Sequence, residues 1–463
     1  MTPPPVDPQL QARTADGLRE LVAWACGPTA REVPQAARKK AALVLADNLA
    51  AIIAAQDEPE VQQVHRQLAL EDGGPERATV FRQGFPRTSR IAAALANGIA
   101  GSWCELDEGY RLAPCHAGLY VIPALLAEAE VLGLTAGQLV DAMALSYEIN
   151  ARIARCWVYP QMTLHPHPQT AAIGGAMAVA VCRQFDAARM HAALTASATL
   201  ITVGGYSHAV NGALVRNVWS AVGTANGMRA ADWSGFGIGG MADGPWSVFT
   251  ELLGQLPNPD ALTRALGDEW AVANGYHKIH ACCQSTHSAV DAMLQARADL
   301  PAGASVGDVE EIHLATHRPT MTNADPDTSL AGKFSFAHVL ATTLVHGHAD
   351  APAFSAHALA DERVARLRHR VHLRRFEPAL PRPHDRPARL RLVLRDGREV
   401  IAEVLSARGG PDRPWDAGVI EDKIRRLAGA ASPRLADDLL QLTELPQALL
   451  ARPWLDLLAH ARG

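Results

Sequence analysis

The stretch Ala171-Ala-Ile-Gly-Gly-Ala-Met-Ala-Val-Ala-Val-Cys-Arg183 consists almost entirely of small and apolar residues. Small side chains let neighbouring helices approach closely, since the distance between two helix axes depends on the side chains at the contact. A helix that is apolar on all its faces is normally buried. The stretch therefore predicts a helix enclosed by other helices.

The same composition extends along the first part of the chain. Thr135 and Gln138 fit a capping box, and Gly133 just before them fits the end of a preceding helix. Apolar residues at helical spacing predict further helices. These cover residues 35–53, 89–103, 120–132, 135–156, 190–203 and 215–231.

The pattern changes after about residue 256. Val309–Thr316 has strand character, and Ala388–Arg395 and Glu399–Val404 flank Asp396-Gly397, which predicts a β-hairpin. Residues 334–344 and 360–368 fit helices between these strands, and residues 419–428 and 435–458 return to helical spacing. We therefore predict a helical domain over 1–268, a smaller α+β domain over 269–406, and C-terminal helices over 407–463 that pack back on the first domain.

Composition excludes several classes of protein. The 463 residues are 48% hydrophobic and 20% charged, as in folded soluble proteins, and the net charge of -5 argues against a nucleic-acid surface. No apolar run reaches the length of a membrane span, and the first residues lack the apolar core of a signal peptide. The seven cysteines show no CxxC or zinc-ligand spacing, which favours reduced thiols and a cytoplasmic location.

Three carboxylates stand close together in Glu105-Leu-Asp107-Glu108, with His116 shortly after them. Clustered carboxylates repel one another, which raises the pKa of at least one, and a carboxylate can orient a catalytic imidazole. The alternative is a solvated acidic loop.

A second acid–base segment is His165-Pro-His167-Pro168. Each proline fixes its own φ and restricts the preceding residue, so both imidazoles point in set directions. The small residues from Ala171 onward then start a helix, whose N-terminus favours an anion. The alternatives are a rigid loop with exposed histidines, or a metal pair for which no third ligand is near in sequence.

The segment from His277 to His287 lies where the two predicted domains meet, and pockets favour such junctions. Lys278 could pair with a substrate carboxylate or carry a proton if desolvated. The adjacent Cys282 and Cys283 fit redox or metal chemistry less well, because a vicinal disulfide is strained. Arg216 and His338 are further polar residues in apolar surroundings, each of which alone fits a structural role.

These segments occur in the order typical of the MmgE/PrpD family, which the chain resembles over roughly residues 15 to 455. The match to several family motifs is specific for the family and much less specific for one reaction. The motifs are Leu45–Asp47, Ala96–Gly98 before Glu105–Glu108, His116 with Pro123, His165–His167 with Gly174, Tyr276–His287, and Lys333–Ser335 with Gly347.

The resemblance implies a mainly α fold, in which a large all-helical domain built from both chain ends carries a smaller α+β lid domain. It also implies a homodimer that needs no metal or organic cofactor, with the site between the two domains. The implied catalytic positions are Glu105, Asp107, His116, His165 and Lys278. The implied substrate-binding positions are His167, Arg216, Cys283 and His338.

The function expected from these residues is that of a lyase acting on a small anionic carboxylate with two or three carboxyl groups. A proton α to a carboxylate would be removed, with His116 and His165 as acid and base, Glu105 or Asp107 orienting an imidazole, and Lys278 holding a substrate carboxylate. Loss of water is the first expectation. Reprotonation by an epimerase and loss of CO₂ by a decarboxylase are the alternatives, and a non-catalytic helical carrier would not explain acid–base residues from four distant segments.

Overall fold

A computed structural model of the chain describes residues 7–70, 77–159 and 162–462. Helices dominate these residues and the sheets are small, which confirms the mainly α prediction. No helix among the described residues is long and apolar enough to cross a membrane.

Most helices precede residue 270. They are α1 (Pro8–Cys26), α2 (Pro28–Arg31), α3 (Gln35–Ala54), α4 (Pro59–Leu70), α5 (Arg90–Trp103), α6 (Ala117–Leu132), α7 (Ala136–Cys156), α8 (Pro166–Cys182), α9 (Ala187–Ser197), α10 (Tyr206–Val210), α11 (Trp219–Ser234), α12 (Gly244–Trp246) and α13 (Asp260–Thr263). The later helices are α14 (His287–Ala298), α15 (Ser329–Lys333), α16 (Phe336–His346), α17 (Ala356–Leu359), α18 (Glu362–Arg368), α19 (Ala417–Ala428), α20 (Pro433–Thr443), α21 (Gln447–Leu450) and α22 (Trp454–Arg462).

Six short strands form two-stranded ribbons, in which β1 pairs with β2, β3 with β6 and β4 with β5. A four-stranded sheet has the order β10-β9-β7-β8, with β7 and β8 parallel and the other neighbours antiparallel. The strands are β1 (Arg77–Thr79), β2 (Arg87–Ser89), β3 (Gly109–Tyr110), β4 (Trp157–Val158), β5 (Leu256–Pro257), β6 (Gly275–Tyr276), β7 (Val309–Thr316), β8 (Val371–Arg375), β9 (Ala388–Leu394) and β10 (Glu399–Val404).

Helix α8 lies at the centre of the helical part, as its small residues predict. It contacts α6, α7, α9 and α11, and almost all of its residues are buried. Glycines make the contact with α11 close: a Cβ on Gly175 would lie 2.2 Å from the carbonyl oxygen of Thr224, and one on Gly227 would lie 1.8 Å from that of Ala172. The α8–α11 pair therefore depends on the absence of side chains at these positions.

Two clusters of buried apolar residues divide the interior. The larger joins the early helices to the C-terminal ones, because α19 and α20 pack on α3. The smaller lies between the four-stranded sheet and the helices α14 and α16. The C-terminal helices α19 and α20 thus contact an early helix.

Several predicted boundaries are wrong, each for a local reason. Helix α8 begins at Pro166 rather than near Ala171, since proline is well tolerated in the first turn of a helix. The predicted helix 435–458 is divided by Pro446 and Pro453 into α20, α21 and α22. Helix α9 ends at Ser197, and β8 was not predicted.

The close α8–α11 contact predicts that Gly227→Ala destabilises the protein. The added methyl group must displace the backbone of α8, and overpacking of this kind costs typically about 1–3 kcal/mol. The matched control is Gly418→Ala, on an exposed face of α19 with no atom within 4 Å of the added carbon. Alanine at that helical site should stabilise by about 0.5–1 kcal/mol. Thermal unfolding of both variants tests this, and a Gly227→Ala variant as stable as the unsubstituted protein would contradict it.

Candidate active site

A cavity of about 200 Å³ lies where the helical part meets the residues around the four-stranded sheet. From the helical part it is lined by Glu105, Tyr110, Ala113, Pro114, Cys115, His116, Met162, His165, Pro166, Tyr206 and Arg216. From later in the chain it is lined by Cys283, Gln284, Ser285, His317, Arg318, Phe334, Arg382, Asp385 and Arg386.

A buried cluster of charges forms one wall of this cavity. The Lys278 ammonium lies 3.1 Å from Oε2 of Glu105 and 3.0 Å from Oδ1 of Asp107, and Arg216 pairs with the other oxygen of Glu105. Burial alone would raise the pKa of each carboxyl. Arg216 and Lys278 nevertheless hold the pKa of Glu105 below its usual range, and Lys278 and His116 do the same for the pKa of Asp107. Both groups are therefore ionised.

Lys278 itself is fully buried and does not line the cavity. Burial would lower its pKa, but Asp107 and Glu105 together raise that pKa above its ordinary value. The ammonium is therefore a fixed charge behind the two carboxylates and not a proton carrier. This position differs from the expected direct contact with a substrate carboxylate.

His116 lines the cavity as the N-cap residue of α6. Its Nδ1 lies 2.9 Å from the carbonyl oxygen of Glu108, to which it hydrogen-bonds, and 2.7 Å from Oδ2 of Asp107. Both neighbours are acceptors, so Nδ1 carries a proton, and in the neutral ring Nε2 is the basic nitrogen. The predicted pairing of a carboxylate with His116 is thus present in the geometry, with Asp107 as the partner.

His165 lines the same cavity and is the N-cap residue of α8. Nε of Arg216 lies 3.2 Å from its Nε2, and the amide nitrogen of His167 lies 3.3 Å from its Nδ1. Both neighbours are donors, and a neutral imidazole has one acceptor nitrogen, so the ring accepts only one of these two hydrogen bonds at a time. Burial is the main reason that the pKa of His165 lies well below its usual range, and Arg216 and His116 lower this pKa further. The ring is therefore neutral.

His167 lies behind the cavity wall. Its Nδ1 is 2.9 Å from the Tyr120 hydroxyl, and its ring centre is 4.4 Å from that of His165 and 4.9 Å from that of His116. Burial and the nearby Arg216 hold its pKa well below the usual range. In this position His167 packs the two cavity imidazoles rather than lining the cavity.

The two remaining predicted residues lie in different places. Cys283 lines the cavity, and its Sγ lies 3.7 Å from the hydroxyl of Tyr206, whose ring stacks on His165. His338 does not line it: its Nε2 lies 3.1 Å from the carbonyl oxygen of Ala353, and its Nδ1 faces Arg368 at 3.3 Å. His338 is therefore buried against Ala353 and Phe354 and is not part of the cavity lining.

A second cluster of charged side chains contacts the backbone of the acidic segment. Asp47 of α3 pairs with Lys423 of α19 at 2.5 Å and with His277 at 2.8 Å. The Lys423 ammonium also donates to the carbonyl oxygen of Leu106 at 2.7 Å. An early helix and a C-terminal helix thus fix the backbone between Glu105 and Asp107.

Three arginines of the cavity were missed by sequence reasoning: Arg318, Arg382 and Arg386. Burial and the nearby Arg111 lower the pKa of Arg386 to about 10, so it remains cationic at neutral pH. The partner anion in this wall is Asp385, which pairs with Arg111 at 2.7 Å. Arg382 and Arg386 stand in a basic, proline-rich run from 381 to 389, a pattern that solvated loops share.

Glu108 is buried beside the site, but its carboxyl bonds groups other than Lys278 and Arg216. Its carboxyl accepts from the amide of Gly118 at 3.1 Å and is bonded to the Tyr147 hydroxyl. Burial raises its pKa to about 8, which leaves it protonated at neutral pH. The sequence predicted a raised pKa from repulsion among the three carboxylates, whereas the raised pKa of Glu108 has burial as its main cause.

The site places acid–base residues beside a cavity lined by arginines, and the comparisons with known proteins agree with the family its motifs predicted. The MmgE/PrpD N-terminal domain matches residues 19–251, and the MmgE/PrpD C-terminal domain matches residues 280–443. The chain belongs to the MmgE/PrpD family.

Curated relatives are similar over most of their length. The cis-aconitate decarboxylase-like protein oryM of Aspergillus oryzae is 25% identical over 440 residues, covering 89% of this chain and 90% of the relative. A cis-aconitate decarboxylase of Aspergillus terreus strain NIH 2624 is 24% identical over 447 residues, covering 89% of each chain. These matches support a lyase-type family.

The raised pKa of Glu108 predicts a pH-dependent stability. The folded state holds this proton up to about pH 8, whereas an unfolded Glu releases it near its ordinary pKa of 4.5. The contribution is therefore fully present below about pH 4.5 and is lost as the pH rises to about 8. In Glu108→Gln this loss is absent, so the melting temperature of the variant should rise relative to the unsubstituted protein between pH 5 and 8.

The matched control is Glu421→Gln, an exposed carboxylate on α19. Its melting temperature should follow that of the unsubstituted protein at every pH. Parallel curves for Glu108→Gln would contradict the assignment of a buried, protonated Glu108.

Proposed function

We propose that the protein is a cofactor-independent lyase that removes a proton α to a carboxylate of a small di- or tricarboxylate, with loss of water as the first candidate reaction. The observation that carries this proposal is the Asp107–His116 pair beside a cavity lined by four arginines, three of them from the later part of the chain. Family membership and the similar relatives support the lyase class.

The arginines supply the recognition of the substrate. Arg318, Arg382 and Arg386 come from the later part of the chain, whereas His116 and His165 come from the helical part. Guanidinium groups bind carboxylates through two parallel hydrogen bonds, which fixes both position and orientation. A substrate with two or more carboxyl groups would be held by the arginines on one side, with its α carbon turned towards the imidazoles.

His116 would then act as the base. Its Nε2 takes the proton from the carbon α to a carboxylate, and the electron pair of the broken C–H bond forms the new C=C bond. The hydroxyl on the next carbon leaves as water after it accepts a proton from a second group. Asp107 stabilises the imidazolium formed on His116, because its carboxylate lies 2.7 Å from Nδ1.

Two groups on the cavity can supply the second proton. His165 carries one proton on its neutral ring. Tyr206 has a hydroxyl whose pKa is raised above its usual value, mainly by burial and also by Cys283. If Arg216 moves away from Nε2 when the substrate binds, Nδ1 accepts from the His167 amide and Nε2 carries the proton, which makes His165 the first candidate. Lys278 acts indirectly, by keeping Glu105 and Asp107 ionised while they are buried.

Loss of CO₂ is the second candidate reaction, and the relatives named cis-aconitate decarboxylase favour it. Reprotonation of the same carbon would give an epimerase. The three reactions share the arginine-lined cavity and differ in the bond that is made or broken at or next to the α carbon.

Three further properties belong to the proposal. The α+β part, residues 269–406, would act as a lid, because it supplies Arg318, Arg382 and Arg386 to a cavity that the helices also line. The protein would form a homodimer and work in the cytoplasm.

Proton NMR in D₂O with a panel of di- and tricarboxylic acids tests the proposal. The expected result is incorporation of deuterium at an α carbon, or appearance of an alkene product, with at least one acid. The same spectra distinguish loss of water, loss of CO₂ and epimerisation. Binding of these acids without exchange or product would contradict the lyase proposal and favour a carrier.

The division of roles predicts opposite kinetic effects for His116 and Arg386. His116→Gln removes the base, so kcat should fall by roughly 10²–10⁴-fold with little change in KM. Arg386→Gln removes a carboxylate contact, so KM should rise with a smaller effect on kcat. Steady-state kinetics on the acid that exchanges measures both.

The matched control is Arg374→Gln, an exposed arginine on β8 that does not line the cavity. It should leave both constants unchanged. A His116→Gln variant with unreduced kcat would contradict the role of His116 and leave His165 as the base.

A further inference from the structure

The outer face of the four-stranded sheet carries a group of metal-ligating side chains: Glu311, His313 and His372. Glu311 and His313 are two residues apart on β7, so their side chains lie on the same face. His372 is the direct neighbour of His313 across the parallel β7–β8 pair. The sheet register therefore brings the three together, although the two histidines are far apart in sequence.

The geometry of the group suits a metal ion. One ligand atom from each residue lies within 4.8 Å of the others, and the two imidazole rings stack with their centres 4.8 Å apart. The Nε2 of His313 already lies 2.8 Å from a carboxylate oxygen of Glu311. These side chains are partly exposed, with 30% of His313 and 47% of Glu311 accessible. They can therefore rotate to bring the ligand atoms to the distance of about 2.0–2.2 Å that zinc requires.

The surroundings leave this group available. Arg391 lies opposite His313 on β9, but it pairs with Glu399 of β10 at 2.5 Å. None of the three ligands lines the active-site cavity. Among the described residues, no other group of three His, Cys, Asp or Glu side chains has this arrangement.

We propose that Glu311, His313 and His372 form a binding site for a divalent transition-metal ion of the zinc class. Two neutral imidazoles and one carboxylate are a ligand set that Zn²⁺ accepts, with its remaining position filled by water. Imidazole ligands also select such ions over Mg²⁺ and Ca²⁺, which prefer oxygen ligands. The site is separate from the proposed reaction, which uses no metal.

The consequence of binding is mechanical. β8 is the edge strand of the sheet, it is only five residues long, and it pairs with β7 in parallel, which is the slightly less stable arrangement. An ion held by His313 on β7 and His372 on β8 links the two strands. Because it binds the folded sheet and not the separated strands, it stabilises the folded state.

Calorimetric titration with Zn²⁺ of the full chain, first freed of metal by a chelator, tests the proposal. The double variant His313→Gln/His372→Gln should bind one ion fewer per chain than the unsubstituted protein. Glu311→Gln should weaken that binding by about tenfold or more, since even indirect supports of metal ligands contribute this much. The matched control His357→Gln removes an exposed histidine elsewhere and should bind as the unsubstituted protein does.

Thermal unfolding gives an independent readout. Zn²⁺ should raise the melting temperature of the unsubstituted protein and of His357→Gln but not of the double variant, and Mg²⁺ should raise none of them. Equal Zn²⁺ stoichiometry in the double variant, or no binding by the unsubstituted protein, would overturn the proposal. If the double variant does not fold, unchanged Zn²⁺ affinity in Glu311→Gln decides against it.

Discussion

The Lys278 ammonium, held between Glu105 and Asp107, is the interaction on which the rest of the site depends. Two carboxylates so close together in a buried wall would otherwise not both stay ionised, because each raises the pKa of the other. With Lys278 and Arg216 present, Asp107 keeps its charge and can orient His116. Removing one member of such a buried group leaves an uncompensated charge, which is strongly destabilising.

The fold delivers these charges from separate parts of the chain. Glu105 and Asp107 follow α5, Arg216 precedes α11, and Lys278 lies after the helical part. Close packing of α8 against α11 places His165, the N-cap of α8, within reach of Arg216. Behind the site, the Asp47–Lys423 pair ties α3 to α19 and holds the carbonyl of Leu106. The close packing of small residues in the core thus helps to position the charged side chains of the site.

Much of this could be predicted from the sequence. Helical periodicity and small residues identified α3, α5, α7 and α8, and Asp396-Gly397 identified the hairpin of β9 and β10, where Gly397 has a φ of +85°. Motif order identified His116, His165 and Glu105, which the structure brings to one cavity.

Other features depend on tertiary contacts that no local pattern reports. Arg318 and Arg386 stand in polar segments that resemble any solvated loop, and only the fold turns them towards the cavity. His338 is the opposite case. The sequence suggested a site residue, but its ring bonds a backbone carbonyl. The Glu311–His313–His372 group exists only through the register of β7 with β8, a strand too short and too charged to be recognised.

The most direct test of the central claim is an infrared difference spectrum of the carboxyl groups, comparing Lys278→Met with the unsubstituted protein at neutral pH. Protonated Glu108 is present in both proteins and cancels. A new protonated-carboxyl band is expected in Lys278→Met, because Glu105 and Asp107 cannot both remain charged without the ammonium. A folded variant whose spectrum shows no new band would contradict it.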